Sequence, residues 1–388
     1  MTDFISVDKE FVANTYNRFP VEIVSGKGSV AVDKNGKEYI DLGTGIGVTA
    51  FGYCDDEWAN AVCKQATTLQ HTSNLYYTQP CAQLAQILCE KTGLKKVLFG
   101  NSGAEANECA IKTARKYACD KKGQEYYQVI TLNNSFHGRT ITTLAATGQD
   151  HFHKLFQPLT NGFLYVDAGD SEGLIKTVAQ NKVCAIMIEC VQGEGGVLPL
   201  TKQFTDTIAK VCKENDILLI IDEVQTGNGR TGELYAYTHF GLNPDIVTTA
   251  KGLGGGLPIG ACMFNEKTQG VLGFGDHGST FGGNPVCAAG AISIIERIND
   301  DLLAEVKKKS KFIFDSLNGA KGIKSVSGLG LMVGIETEKP VKEVMAYCME
   351  KGVLPLTAKT KLRLLPALNI PFELLEKAIK IILEACEI

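Results

Sequence analysis

The 388-residue chain reads as an α/β protein, with a large domain on a mostly parallel sheet and a smaller α/β domain contributed by both chain ends. Two observations predict this. In the middle of the chain, short apolar runs alternate with amphipathic stretches, and strand–helix alternation of that kind builds parallel sheets covered by helices. The chain is also longer than one typical domain, and its 44% hydrophobic and 21% charged residues suffice for a core of normal size.

Taken in order, residues 1–55 contain a hairpin around Asp33-Lys34-Asn35-Gly36, because Asn-Gly supplies the turn chemistry a hairpin needs. Residues 97–99, 128–132, 183–188, 217–221 and 246–248 read as buried strands, with helical patterns over 105–119 and 205–215 between them. They assign 56–285 to the large domain. Residues 286–388 follow a long helix near 284–298 with strands at 330–336 and 361–365 and a helix from about Pro371. Together with 1–55 they are expected to form the smaller domain.

A net charge of −4 provides no basic footprint for nucleic acid and no polybasic patch for a membrane. No apolar run approaches the roughly 20 residues of a membrane span. The first ten residues lack the basic-then-apolar pattern of a signal peptide, and the 13 cysteines are scattered without a Cys-x-x-Cys pair. These features point to reduced thiols in a cytoplasmic protein. Lysines outnumber arginines by 33 to 6, so an arginine in an apolar context is read as chosen for its bidentate fork.

Ligands of an open parallel sheet sit beyond the C-terminal ends of its strands, and the chemistry-bearing residues fall there. Gly100-Asn-Ser-Gly-Ala-Glu105 has the Ser-x-x-Glu spacing of a capping box at Ser102 and Glu105. It is either a plain capped helix or a helix N-terminus left open to a phosphate. Asn133-Asn-Ser-Phe-His-Gly-Arg139 places a ring, an imidazole and a scarce arginine on one loop. Asp222 ends a wholly apolar strand. The magnesium acid of a nucleotide hydrolase is excluded because no Gly-x-x-x-x-Gly-Lys-Ser/Thr loop exists, which leaves a helix cap or a partner for a protonated ring nitrogen. Gly227-Asn-Gly-Arg-Thr-Gly232 matches a dinucleotide pattern, but no strand directly precedes it and no clear helix follows. Lys251 stands between a buried strand and the run Gly252-Leu-Gly-Gly-Gly256; it is a solvated lysine or, if desolvated, a nucleophilic amine. Gly278-Ser-Thr-Phe-Gly-Gly-Asn284 offers hydroxyls and amides to phosphate. A phosphate cradle, a stacking ring, an acid for a ring nitrogen and a Schiff-base lysine together describe a pyridoxal phosphate site.

The segments Asn101-Ser-Gly-Ala-Glu-Ala-Asn107, Ser135-Phe-His-Gly-Arg-Thr140, Gln192-Gly-Glu-Gly-Gly196, Asp222-Glu-Val-Gln-Thr-Gly227, Ala250-Lys251 and Gly278 to Asn284 resemble those of class III (ω-amino acid) aminotransferases. The resemblance runs from Tyr16-Asn-Arg-Phe-Pro20 to Leu362-Arg-Leu-Leu-Pro366, and within the class it is nearest to the bacterial acetylornithine enzymes. It implies the fold-type I architecture of pyridoxal 5′-phosphate (PLP) enzymes and a homodimer with shared active sites. By the same resemblance Ser102, Gly103 and Ala104 bind phosphate, Phe136 stacks on the ring and Asp222 pairs with its nitrogen. Val224 packs behind the ring, Gln225 reaches its phenolic oxygen and Lys251 carries the Schiff base. Thr280 reaches the neighbouring subunit's phosphate, while Ser279 and Tyr16 lie near substrate. Arg139 takes the α-carboxylate of N2-acetyl-L-ornithine; Arg363 takes that of glutamate, formed from 2-oxoglutarate, with Glu189 poised to pair with it. The implied activity transfers the donor's δ-amino group to 2-oxoglutarate, in arginine biosynthesis. Succinyl-diaminopimelate, succinylornithine, ornithine and 4-aminobutyrate are the alternative donors, and racemases and decarboxylases share the fold. The chain departs from the family pattern at Gly52-Tyr-Cys-Asp-Asp56 and at Cys190, where a proline is usual.

Overall fold

The computed structural model describes residues 3–387. Its centre is a seven-stranded sheet of β1 (Lys96–Gly100), β2 (Gln128–Leu132), β3 (Phe163–Val166), β4 (Val183–Ile188), β5 (Leu218–Asp222), β6 (Ile246–Thr249) and β7 (Gly260–Phe264). The spatial order is β1-β7-β6-β5-β4-β2-β3. All six residues of β4 and all five of β5 are buried, as expected for strands covered on both faces. Five expected strands are present. The pattern does not reveal β3 or β7, and β7 alone runs against the others, pairing antiparallel with β6 and β1.

The helix Gly103–Lys122 covers one face of this sheet. Its residues Ala106, Cys109, Ala110, Thr113, Ala114, Tyr117 and Ala118 recur at helical spacing and are buried, against Val129, Ala185, Met187, Leu218, Ile220 and Cys262. A second, larger cluster fills the opposite side and extends under the C-terminal elements. The expected hairpin pairs Val30–Asp33 with Glu38–Asp41, and Gly36 turns it at φ 81°. Val353–Leu354 then joins that N-terminal sheet in parallel, so the two chain ends share a sheet. Another sheet carries Arg363 on Lys361–Leu364, opposite Gly334 of Met332–Thr337 and Leu356 of Leu356–Ala358.

Asp55, in the segment that departs from the family pattern, has a structural use. It caps the helix Asp56–Thr68 by accepting from the Trp58 amide at 3.0 Å. It also accepts two bonds from the Arg297 guanidinium, at 2.7 and 3.1 Å, while that guanidinium lies 4.1 Å from the centre of the Phe51 ring. The helix thus anchored presents Trp58, whose indole N–H donates to the Gly254 carbonyl at 3.0 Å.

Reversing β7 brings Gly260, its first residue, to the same rim as the ends of the parallel strands. A Cβ there would lie 2.1 Å from the Ser102 carbonyl oxygen. Gly260→Ala should therefore cost about 1–3 kcal/mol by overpacking. At Gly270 a Cβ would meet nothing within 4 Å, so Gly270→Ala should be near neutral. Denaturant unfolding of the two apoproteins checks the contrast.

Candidate active site

Beyond the strand ends lies a cavity of about 500 Å³. Its lining includes Ser102, Gly103, Ala104, Phe136, Arg139, Glu189, Asp222, Val224, Gln225 and Lys251. They come from the ends of five strands or the turns that follow, and the sheet brings them together.

The helix Gly103–Lys122 points its N-terminus into this space. Ser102 caps it, its hydroxyl accepting from the Glu105 amide at 3.2 Å. The expected reciprocal bond is shifted by one residue: the Glu105 carboxylate takes the amide of Asn101 instead of that of Ser102. The Ser102 backbone is extended (φ −153°, ψ 165°) and pressed against Gly260, so the carboxylate bonds to the neighbouring amide. The N–H groups of Gly103 and Ala104 stay open to an anion. A Cβ on Gly103 would reach the Val224 side chain at 2.7 Å, so glycine is what lets the two meet.

Asp222 is 3% exposed and held from three sides. Asn107 Nδ2 donates to Oδ2 at 2.8 Å, His137 Nδ1 lies 2.8 Å from the same oxygen, and the Val224 amide donates to Oδ1 at 3.0 Å. Asn107 is itself fixed by bonds to the His137 carbonyl (2.7 Å) and from the Thr248 hydroxyl (2.6 Å). Burial opposes protonation of His137, but the bond and charge of Asp222, with the charge of Glu189, prevail and raise its pKa. Asn107 and His137 stand inside motifs noted above without an assigned role; polar residues on a helix face and loop facing an apolar strand's terminal acid were their only signal.

Lys251 has φ 45°, a left-handed backbone that costs a residue with a side chain of order 1 kcal/mol. Burial, the largest influence, and the Arg363 charge hold its amine below the ordinary lysine range against the pull of Glu194, Asp222 and Glu189.

The expected pairing of Arg363 with Glu189 is not what the structure contains. Arg363, 3% exposed, binds Glu194: Nη1 to Oε1 is 2.6 Å. The same nitrogen donates to Gln225 Oε1 at 3.2 Å. Both oxygens of Glu189 are engaged elsewhere, accepting from the amides of Phe136 (2.9 Å) and Gly193 (3.3 Å). Glu194, between two glycines of Gln192-Gly-Glu-Gly-Gly196, stands on a loop able to turn toward the arginine. Although burial acts to raise its pKa, the Arg363 charge and bond, with Lys251 and Gln225, lower it.

Phe136 is half-buried, and the Arg139 guanidinium carbon lies 5.7 Å from its ring centre and 5.8 Å from that of Phe152. Four expected residues are not on the cavity wall; one is Arg363, which bonds to the lining residue Gln225 from behind. Tyr16 is 65% exposed and packs with Arg18. Ser279 is one side chain removed, its hydroxyl accepting from Asn101 Nδ2 at 3.1 Å. Thr280 is exposed on the same loop.

An anion-ready helix start, a buried acid, a half-buried ring and a desolvated lysine on one cavity fit pyridoxal phosphate, and glycine at 103 lets Val224 close in beside the helix start.

Residues 11–386 match the model of the family described as aminotransferase class-III. The acetylornithine aminotransferase of Haemophilus ducreyi is 49% identical over 97% of this chain and 96% of its own length. That of Methanocaldococcus jannaschii is 45% identical over 96% and 94%. Among solved structures, the N-acetylornithine aminotransferase of Stenotrophomonas maltophilia superposes with a TM-score of 0.84 at 33% identity, covering 98% of each chain. An ornithine aminotransferase of Toxoplasma gondii, described with PLP at its active site, gives 0.94 at 32% identity over 99% and 93%. This chain belongs to the class III aminotransferases, and its cofactor is pyridoxal 5′-phosphate.

Proposed function

We propose that this chain transfers the δ-amino group of N2-acetyl-L-ornithine to 2-oxoglutarate, as a cytoplasmic homodimer acting in arginine biosynthesis. The observation that carries this reading is the Arg363–Glu194 pair, an arginine 3% exposed whose counter-ion sits on a glycine-flanked loop.

The two substrates make opposite demands. Acetylornithine presents a δ-carbon that bears no carboxylate, and in that half of the cycle an unpaired buried guanidinium would be costly. Glu194 neutralises it. Glutamate reacts at its α-carbon, whose carboxylate displaces Glu194 and takes the guanidinium fork bidentately. Arg139 binds the α-carboxylate of acetylornithine at the other end of the cavity.

When bound, pyridoxal phosphate supplies an electrophilic carbon for the amine and a ring that takes up a carbanion's electron pair. Lys251, desolvated and held in place by its constrained backbone, is the nucleophile and afterwards the base and acid that moves the proton at the substrate carbon. Asp222, fixed by Asn107, His137 and the Val224 amide, holds a proton on the ring nitrogen. With the cofactor bound, Phe136 and Val224 would confine its ring, Gln225 would reach its phenolic oxygen, and Ser102, Gly103 and Ala104 would hold its phosphate.

The dimer reading is supported by an apolar surface left exposed among the described residues. Leu75, Tyr76 and Tyr77 are 87%, 69% and 106% exposed. Asn74 ties them to the loop of Thr280 through bonds to the Ser279 and Gly282 carbonyls, and Phe281 there is 59% exposed. A second copy over this face would receive Thr280 at the phosphate of its own cofactor. None of the described helices is long and apolar enough to cross a membrane.

Asp222→Asn should lower kcat at least tenfold, about 1.4 kcal/mol, in stopped-flow measurement of either half-reaction. Glu194→Ala should slow the single-turnover reaction with acetylornithine while leaving that with glutamate equal or faster, and Arg363→Ala should show the reverse. Equal losses in both reduce the pair to scaffolding. In a donor panel with 2-oxoglutarate, kcat/KM should be highest for acetylornithine; a preference for ornithine or 4-aminobutyrate overturns the donor assignment and leaves the family intact.

A further inference from the structure

Glu189 is a buried carboxylate on the cavity wall, 6% exposed, for which the reading above has no chemical step. Its two oxygens bond to two different loops. Oε2 accepts from the Phe136 amide at 2.9 Å, on the loop that carries Phe136 and Arg139. Oε1 accepts from the Gly193 amide at 3.3 Å, on the loop that carries Glu194. Gly193 in turn lies so close under Gln225 that a Cβ there would stand 2.3 Å from its Oε1. Gln225 contacts both members of the ion pair, donating to Glu194 at 3.4 Å and accepting from Arg363 at 3.2 Å. One continuous path therefore leads from the Phe136 backbone through Glu189, Gly193 and Gln225 to Arg363.

We propose that Glu189 is a positioning residue that staples the Phe136–Arg139 loop to the Glu194 loop, and so sets the two carboxylate-recognising arms of the cavity relative to one another. The proposal rests on the reading of Arg139 and Arg363 as those arms. A carboxylate suits the task because it is acceptor-only, and two N–H groups arriving from separate loops need two acceptors. An amide of the same shape has one. Its NH₂ would face an N–H, which orphans a buried donor and frees one loop. Burial, the largest influence, and the nearby Asp222 charge raise the Glu189 pKa; the His137 charge and the two backbone N–H bonds pull the other way, toward the ionised, acceptor-only form.

Glu189→Gln in the PLP-loaded enzyme tests this. Hydrogen exchange should quicken at least tenfold in the peptides over 133–139 and 192–197, with that over 217–222 still protected. KM for acetylornithine and for glutamate should rise together by threefold or more, with kcat changed less than KM. In a Glu194→Ala background the rise in the glutamate KM should shrink, because the stapled loop has then lost its ion pair to Arg363. Exchange that quickens in neither loop, a KM change confined to one substrate, or an effect that multiplies unchanged onto Glu194→Ala overturns the proposal. If the glutamine variant does not fold, Glu189→Ala, which leaves room for water at both amides, is judged by the same outcomes. The donor panel is independent of this test: if ornithine proves the better donor, KM is read for ornithine and glutamate.

Discussion

The site is organised around one buried carboxylate. Asp222 ends a strand of five buried residues, where an anion is tolerated only if hydrogen-bond donors surround it. Meeting that requirement draws in the rest of the cavity. Asn107 fixes the rotation of the Gly103–Lys122 helix, which also sets where its N-terminus points. His137 fixes the loop that carries Phe136 and Arg139, and Asn107 holds that loop a second time through the His137 carbonyl. Thr248 ties the arrangement to β6, two residues before the turn into Lys251. Phosphate cradle, stacking ring and lysine thus share one reference point, and charge-assisted bonds give it rigidity.

Around that rigid centre the remaining charges are arranged in opposition. Burial holds the Lys251 amine below its ordinary range, the buried Arg363 is paired with Glu194, and Glu189 adds a second acid nearby. The two acids differ in attachment. Glu189 bonds to backbone on both sides and moves only if loops move. Glu194 bonds to side chains and shifts by rotating its own. A cavity that must accept two dissimilar substrates needs one partner of each kind.

Much of this was legible in the sequence, and the gaps have physical causes. Strands buried on both faces read as unbroken apolar runs, so β4 and β5 were evident. Edge strand β3 and the reversed β7 were not, since neither periodicity nor composition records strand direction or order. Parallel topology puts strand ends on one rim, which made Phe136, Asp222 and Lys251 readable as neighbours. Which acid meets Arg363 was not readable: Glu189 and Glu194 are five residues apart, and the choice depends on which backbone amides a tight loop turns inward. Tyr16 and Thr280 are exposed and Ser279 sits one side chain behind the cavity wall, so no burial pattern in the sequence marks where they fall.

The indole of Trp58, hydrogen-bonded to the Gly254 carbonyl, has a practical consequence. It is the chain's sole tryptophan, and its partner stands three residues from Lys251. Indole emission, excited beyond the absorption of the 12 tyrosines, is therefore a single-site optical signal from beside the glycine run that follows the reactive amine. A ligand in the cavity that absorbs where indole emits will quench that light. Occupancy of the site can then be followed in real time without a label or a coupled assay.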